Sequence, residues 1–425
     1  MIRIMKYGEV AAKDIFARSM PLTDVRGAVE EIITAVRTRG DAALYDYAAR
    51  FDGGLPGALQ VSEEEFAAAM QAVTPEFLAI LEKAADNIRA FHSRQVRNSF
   101  VITREDGVVM GQRVLPVDRA GLYVPGGTAA YPSTVLMDAI PARIAGVREV
   151  VMVTPAKNGV ISPAILAAAR VAGIDRVFKV GGAQAIAALA YGTESIPRVD
   201  KIVGPGNAFV AEAKKQVSGI VGIDMIAGPS EILVVSDAGS SPVHLAADLL
   251  SQAEHDKNAS AVLVTDSAAL ATAVQAELEK QLATLPREEI ARASIDHNGK
   301  IIVAPDIRTA IEIANEIAPE HLELCVDDPF ALLGLVRHAG SVFMGRNCPE
   351  ALGDYMAGPN HTLPTSGTAR FSSPLSVDDF VKKTQYTYFT REALSGLAPS
   401  IAAFARTEGL EAHARSALIR TEDTL

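Results

Sequence analysis

Cysteine is nearly absent from this 425-residue sequence: only Cys325 and Cys348 occur. Two thiols cannot build a disulfide framework, so a reducing, cytosolic setting is expected. No stretch approaches the ~20 uncharged apolar residues of a membrane-spanning helix. The opening Met-Ile-Arg-Ile-Met-Lys-Tyr-Gly-Glu lacks the apolar run and small-residue cleavage site of a secretory leader. Positive charge is scarce too, with 40 Lys and Arg against 51 Asp and Glu and a formal net charge of -11. That balance argues against nucleic acid, whose phosphates call for clustered cations. The G-x-G-x-x-G dinucleotide fingerprint is missing, as are low-complexity segments and strong short repeats. What survives these exclusions is a cytosolic globular protein acting on small molecules.

What is present is length and an α/β rhythm. A chain of 425 residues exceeds a single core. Ala28 to Arg39 and Glu63 to Phe91 carry apolar residues at helical spacing. Ser99 to Thr103 and Val108 to Leu115 read as strands around Glu105-Asp106-Gly107. From Val150 onward, strand, glycine turn and helix repeat: Val150 to Thr154 with Ala164 to Ala172, Arg176 to Val180 with Ala183 to Tyr191, Asp200 to Val203 with Asn207 to Val217. The rhythm resumes after Pro229 with Glu231 to Ser236, Pro242 to His255, Ala261 to Val264, Ala268 to Ala283, Lys300 to Val303, Arg308 to Ile317, Leu322 to Val326 and Ser341 to Phe343. Such repeats imply right-handed crossovers and parallel sheets. The expected fold is α/β, with two Rossmann-like doubly wound domains and small helical N-terminal and C-terminal tail domains. The expected division is an N-terminal helical segment 1–23, a discontinuous α/β domain 24–120 and 232–374, a nucleotide-binding domain 121–231, and a tail 375–425. Gly353 to Pro374 reads as a long functional loop, and Ala393 to Arg420 as a helical tail.

Three glycine turns fall where strands end or beside such places: Gly121 to Gly127, Gly181-Gly182-Ala183-Gln184 and Gly204-Pro205-Gly206-Asn207. Ligands of open parallel sheets bind at carboxyl strand ends, where helix N-termini offer N–H groups to phosphates. Gln184 and Asn207 could meet a ribose or phosphate there, and Tyr123 could offer a face or hydroxyl. Tight βα turns use glycine without any ligand as well.

Polar side chains suggest chemistry. Gln252 and His255 lie three apart near a predicted helix end and project from one face. Asp354 sits in a Gly-rich loop and His413 in the tail. Singly, each reads as a helix-end, turn or surface residue. Jointly, two imidazoles, a carboxylate and an amide oxygen form a ligand set for a borderline cation such as zinc. Glu320-His321 follows Pro319 at a helix–strand junction, where histidine suits a general base and glutamate can activate water. An exposed pair after a helix-ending proline is the other reading. Cys325 and Cys348 are read as packing or incidental residues.

The motifs resemble the histidinol dehydrogenase family. They are Leu122-Tyr123-Val124-Pro125-Gly126-Gly127, Val180 to Ala185, Gly204 to Phe209, Ala227-Gly228-Pro229-Ser230-Glu231, Ser251-Gln252-Ala253-Glu254-His255, Pro319-Glu320-His321-Leu322, Gly353-Asp354-Tyr355, Gly358 to Thr365, and Glu408 with His413. The resemblance implies that Gln252, His255, Asp354 and His413 bind zinc. It implies that Ser230, Glu320, His321 and Glu408, with the zinc ligands, surround the substrate, and that Tyr123, Gln184 and Asn207 contact NAD. It further implies a homodimer whose tail completes the partner's site, and oxidation of L-histidinol through the aldehyde to L-histidine, the last step of histidine biosynthesis. In that reading His321 is the base and Glu320 activates water for the second oxidation. The rivals are a family relative oxidising another alcohol, such as a sulfonated diol, a metal-dependent hydrolase, and a non-catalytic two-lobed binding protein.

Overall fold

The computed structural model describes residues 1–18, 24–54, 56–126 and 130–422. Gly127 of the first glycine motif and 19–23 of the expected N-terminal segment lie outside the described residues. Two units are present: 1–95 with 117–380, and 96–116 with 381–425.

The first unit holds two parallel sheets. The five-stranded sheet runs Arg176–Lys179, Glu149–Thr154, Arg119–Tyr123, Lys201–Val203, Gly222–Ile223. Counted from Arg119–Tyr123, that is the doubly wound order 3-2-1-4-5. Its central strands are apolar on both faces because helices cover both, Pro132–Ala145 and Pro163–Ala172 in one core, Gly182–Tyr191 and Ala208–Val217 in the other. The six-stranded sheet runs Arg3–Lys6, Lys300–Val303, Ser260–Thr265, Glu231–Ser236, His321–Cys325, Ser341–Met344. Its last five strands repeat the 3-2-1-4-5 order. The expected α/β class with two doubly wound sheets is therefore what the chain forms.

Three local expectations change. The N-terminal segment, expected to be helical, holds one helical turn, Ala12–Ile15, but begins with an edge strand, Arg3–Lys6, parallel to Lys300–Val303. Four residues are too few for periodicity to decide, and the partner lies some 300 positions away. The stretch of helical spacing over Glu63 to Phe91 is divided into two helices, Glu63–Ala72 and Pro75–His92. Thr74 caps the second, its Oγ1 accepting from Phe77 N–H at 3.2 Å, with Pro75 in the first turn. The helices Arg26–Arg39, Asp41–Phe51, Glu63–Ala72 and Pro75–His92 bury their apolar faces against the helices that cover the five-stranded sheet, whereas the expected division grouped them with 232–374. An amphipathic pattern says which face of a helix is buried but not which sheet covers it.

The second unit is an antiparallel sheet, Phe100–Thr103, Val109–Pro116 and Val381–Tyr388, with helices Arg391–Thr407 and Glu411–Leu418. Ala402, Ala405 and Ala414 form a small core between those helices. The start of the expected tail behaves otherwise, since Leu375 and Phe380 are buried in the first unit's core. Among the described residues no helix is long and apolar enough to cross a membrane.

Candidate active site

A cleft of about 860 Å³ opens at the carboxyl ends of the five-stranded sheet. Tyr123, Gln184 and Asn207 all line it, so the three residues expected to hold a nucleotide are brought together. The Gly182 N–H donates to the Tyr123 hydroxyl oxygen at 3.1 Å, and burial pushes that hydroxyl up to about 12. Asn207 caps the helix Ala208–Val217, with Oδ1 accepting from Phe209 and Val210 N–H at 3.0 and 3.2 Å. Beneath the cleft, Gly204 N–H donates to Asp224 Oδ2 at 2.8 Å and Lys214 Nζ donates to Gly204 O at 2.9 Å. Lys214 and Asp224 are themselves a buried ion pair. Gly204 has φ +114, and a Cβ there would lie 2.1 Å from Tyr123 O, so only glycine fits.

The polar site is built on the six-stranded sheet. Glu320 and His321, 7% and 4% exposed, stand at the amino end of His321–Cys325, beside Glu231 at the start of its neighbour. Glu231 N–H donates to Glu320 Oε2 at 2.9 Å, and His321 Nδ1 lies 2.9 Å from Glu231 O. A carbonyl only accepts, so Nδ1 carries the proton and Nε2 holds the lone pair. That Nε2 lies 3.7 Å from Glu350 Oε1. The placement departs from the carboxyl-end rule. In this sheet the carboxyl ends at the point where strand order reverses are closed by Arg346, which ion-pairs with Asp237 and Asp327 and donates to Ser240 Oγ at 2.9 Å.

Burial and crowding of acids govern the electrostatics. Glu320 is pushed well above the usual carboxylate range, chiefly by burial, then by Glu231, Asp354 and Glu350. Asp354 is raised by burial and by Glu350, to which it is hydrogen-bonded. His321 and His255 are lowered by burial, and His361 falls to about 4 for the same reason. The site imidazoles are thus neutral at pH 7.

Ligand atoms of His321, Glu350 and Asp354 lie within 4.8 Å of one another. Glu350 Oε1 is buried with no hydrogen-bond partner, the condition of an acceptor awaiting a cation or donor. Gln252 is buried in the last turn of Pro242–Ala253, and His255 lies just past that helix's end, its N–H donating to Gln252 O at 3.1 Å. His255 is near enough to Glu350 and His321 for their charges to bear on it. Asp354 closes the short helix Glu350–Tyr355, one turn from Glu350. A pocket of about 140 Å³ is lined by His321, Asp354, His361, Phe343 and Cys348 among others.

Ser230 precedes Glu231 and is half-buried. Glu408 and His413 belong to the second unit and are exposed on it; of the expected zinc ligands, Asp354 clusters with His321 and Glu350, and His255 is close enough to feel their charges. Sequence reasoning missed Glu350 and His361. The available signal for Glu350 was its position four before Asp354, on one helical face. Cys325 is buried against Glu323 and Asp248, which with burial push its thiol above the ordinary range and leave it unreactive.

Residues 17–421 match the family model described as histidinol dehydrogenase. A histidinol dehydrogenase of Syntrophotalea carbinolica is 58% identical, with 100% of both chains covered. One of Geobacillus kaustophilus is 56% identical over 93% of this chain and 94% of its own. The crystal structure of histidinol dehydrogenase from Elizabethkingia anophelis superposes with a TM-score of 0.93 at 37% identity, covering 99% of this chain and 98% of that one. The chain belongs to the histidinol dehydrogenase family, oxidoreductases known for the two-step, NAD-dependent oxidation of histidinol in histidine biosynthesis.

Proposed function

We propose that the 860 Å³ cleft takes NAD and the 140 Å³ pocket takes L-histidinol, which leaves as L-histidine after two oxidations. The observation that carries this reading is the His321 imidazole, proton on Nδ1 and lone pair on Nε2, beside a buried carboxyl of raised proton affinity. Nε2 takes the proton of the substrate hydroxyl as the carbinol hydrogen departs with its electron pair. Glu320 then takes a proton from the water that adds to the aldehyde carbon. Once Nε2 has passed its first proton to solvent, it accepts a hydroxyl proton of the resulting hydrate in the second oxidation. Burial raises the proton affinity of Glu320, which makes its ionised carboxylate a stronger base toward water. The enclosing pocket keeps the reactive aldehyde from escaping.

NAD, held by Tyr123, Gln184 and Asn207, supplies the hydride acceptor in both oxidations. The crowded Asp354 and Glu350 carboxyls, the orphaned Glu350 Oε1 and the neutral His255 fit a divalent cation. Gln252, His255 and Asp354 would hold zinc, together with His413 from the tail of a second copy. Zinc supplies a fixed anchor for the substrate's imidazole and amino nitrogens. Ser230, and Glu408 from that same tail, complete the substrate's surroundings. The active form is a homodimer in the cytoplasm.

The deciding measurement is NADH yield from limiting L-histidinol, before and after chelation. The reading expects two NADH per histidinol, lost on chelation and restored by zinc. One NADH with free aldehyde would remove Glu320 from its role. No NADH from folded, zinc-loaded protein would favour a relative oxidising another alcohol.

A further inference from the structure

Behind the catalytic pair stands an ion pair that the reaction itself does not use. Arg18 Nη1 lies 2.7 Å from Glu231 Oε1, with side chains 26% and 12% exposed. The other arm of the same guanidinium donates to the carbonyl of Ile317. Both contacts lead directly to chemistry. Glu231 is the residue whose N–H holds Glu320 and whose C=O holds His321. Ile317 ends the helix Ile307–Ile317, from which the chain passes through Ala318 and Pro319 to Glu320. Ala318 has φ 50, an unfavourable setting for a residue with a Cβ, and such strain persists only where the surroundings enforce it.

We propose that Arg18 is a positioning residue that fixes Glu320 and His321 through Glu231 and through the Ile317–Pro319 turn; the proposal rests on the roles given to that pair above. The planar fork of arginine is what permits the double hold, since one rigid group meets a carboxylate on one strand and a carbonyl on the adjoining turn. A partly buried ion pair is a weak device for stability, because burial costs both charges their hydration. It is a good device for orientation. If the backbone on either side of Glu231 shifts, Glu320 loses its donor and His321 loses the acceptor that keeps its proton on Nδ1. With the tautomer inverted, Nε2 carries a proton and cannot take another from substrate.

The test is Arg18→Met in the full-length, zinc-loaded protein, with Glu231→Gln as the milder companion should the first fold poorly. Two quantities are read: kcat and KM for L-histidinol, and the ¹⁵N shifts of the His321 ring, assigned by comparison with His321→Asn. The expectation for Arg18→Met is a fall in kcat of about ten- to a hundredfold with KM changed less than about twofold, the scale of a small misplacement of catalytic groups. The His321 signals should move from the Nδ1–H pattern toward a mixture. Glu231→Gln should show the same signature at smaller amplitude. Unchanged kcat, or a fall with the wild-type tautomer pattern retained, overturns the proposal, as does a loss that only tracks the unfolded fraction. The ring shifts need no turnover. If the wild-type protein failed to oxidise histidinol, the functional reading would fall while the tautomer test still decided the role of Arg18.

Discussion

Thr362 donates its hydroxyl to Oδ1 of Asp138 at 2.8 Å, both residues being buried. The contact ties the loop that carries His361 to the helix Pro132–Ala145 on the five-stranded sheet. Burial pushes the Asp138 carboxyl up to about 8, from an ordinary value of 3.8. The folded protein therefore takes up a proton there between those limits. The associated stability is whole below the lower value and is lost as pH rises through about 8. In urea denaturation, Asp138→Asn should gain on the wild type as pH is raised from 4 toward 9. Parallel stability profiles would show that this carboxyl does not stay protonated.

Glu320→Gln keeps the shape and the hydrogen bond from Glu231 N–H but removes the base for water. The second oxidation should collapse while the first survives, leaving about one NADH per histidinol and an active aldehyde-reduction reaction. Equal loss of both steps would contradict the division of labour between Glu320 and His321.

Glu350 faces Asp354 and His321, and an uncharged Gln there removes one of the acids that attract a cation. Glu350→Gln should weaken zinc retention by about tenfold or more, the usual scale for a supporting carboxylate. Zinc content after dialysis against a competing chelator measures it. Wild-type retention would make Glu350 a purely structural acid.

At Gly204 an alanine would meet both a positive φ and a carbonyl 2.1 Å from its Cβ. The cost should reach on the order of 3 kcal/mol, with weakened NAD binding because the Lys214–Asp224 clamp shifts with it. Thermal unfolding and NAD titration report the two effects. A variant with wild-type melting temperature would mean that the turn relaxes at little cost.

His321 has its proton affinity lowered by burial, so the neutral base persists below the usual histidine value of 6.5. The acid limb of kcat/KM attributable to this ring should lie under that value, and a bound cation lowers it further. A limb above it, absent in His321→Asn, would place the ring in a more acidic setting than burial provides.

Strands such as Glu231–Ser236 and Lys300–Val303 were legible in the sequence to the residue, because short apolar runs bounded by turns have few alternatives. The glycine turns that line the cleft were legible for the same reason. The helices that begin with Asp41 and Pro132 were not, the second being apolar nearly all round and so without a periodic face. Glu350 carried only the faint signal of its spacing from Asp354, and His361 sat in a motif with no role attached; their importance comes from strands and loops meeting over long sequence separations. The joining of Val109–Pro116 to Val381–Tyr388 is of that kind too.

The Arg346 plug at the carboxyl ends of the six-stranded sheet has a consequence for traffic. With the protein's own charges spanning that crevice, the proposed reading gives a dinucleotide the berth on the five-stranded sheet, although the two oxidations consume two. On the proposed reading the berth must therefore be vacated and refilled in mid-cycle, with the half-oxidised substrate kept waiting next to His321. Such an enzyme should be judged by how tightly it grips an intermediate and how loosely it grips its coenzyme.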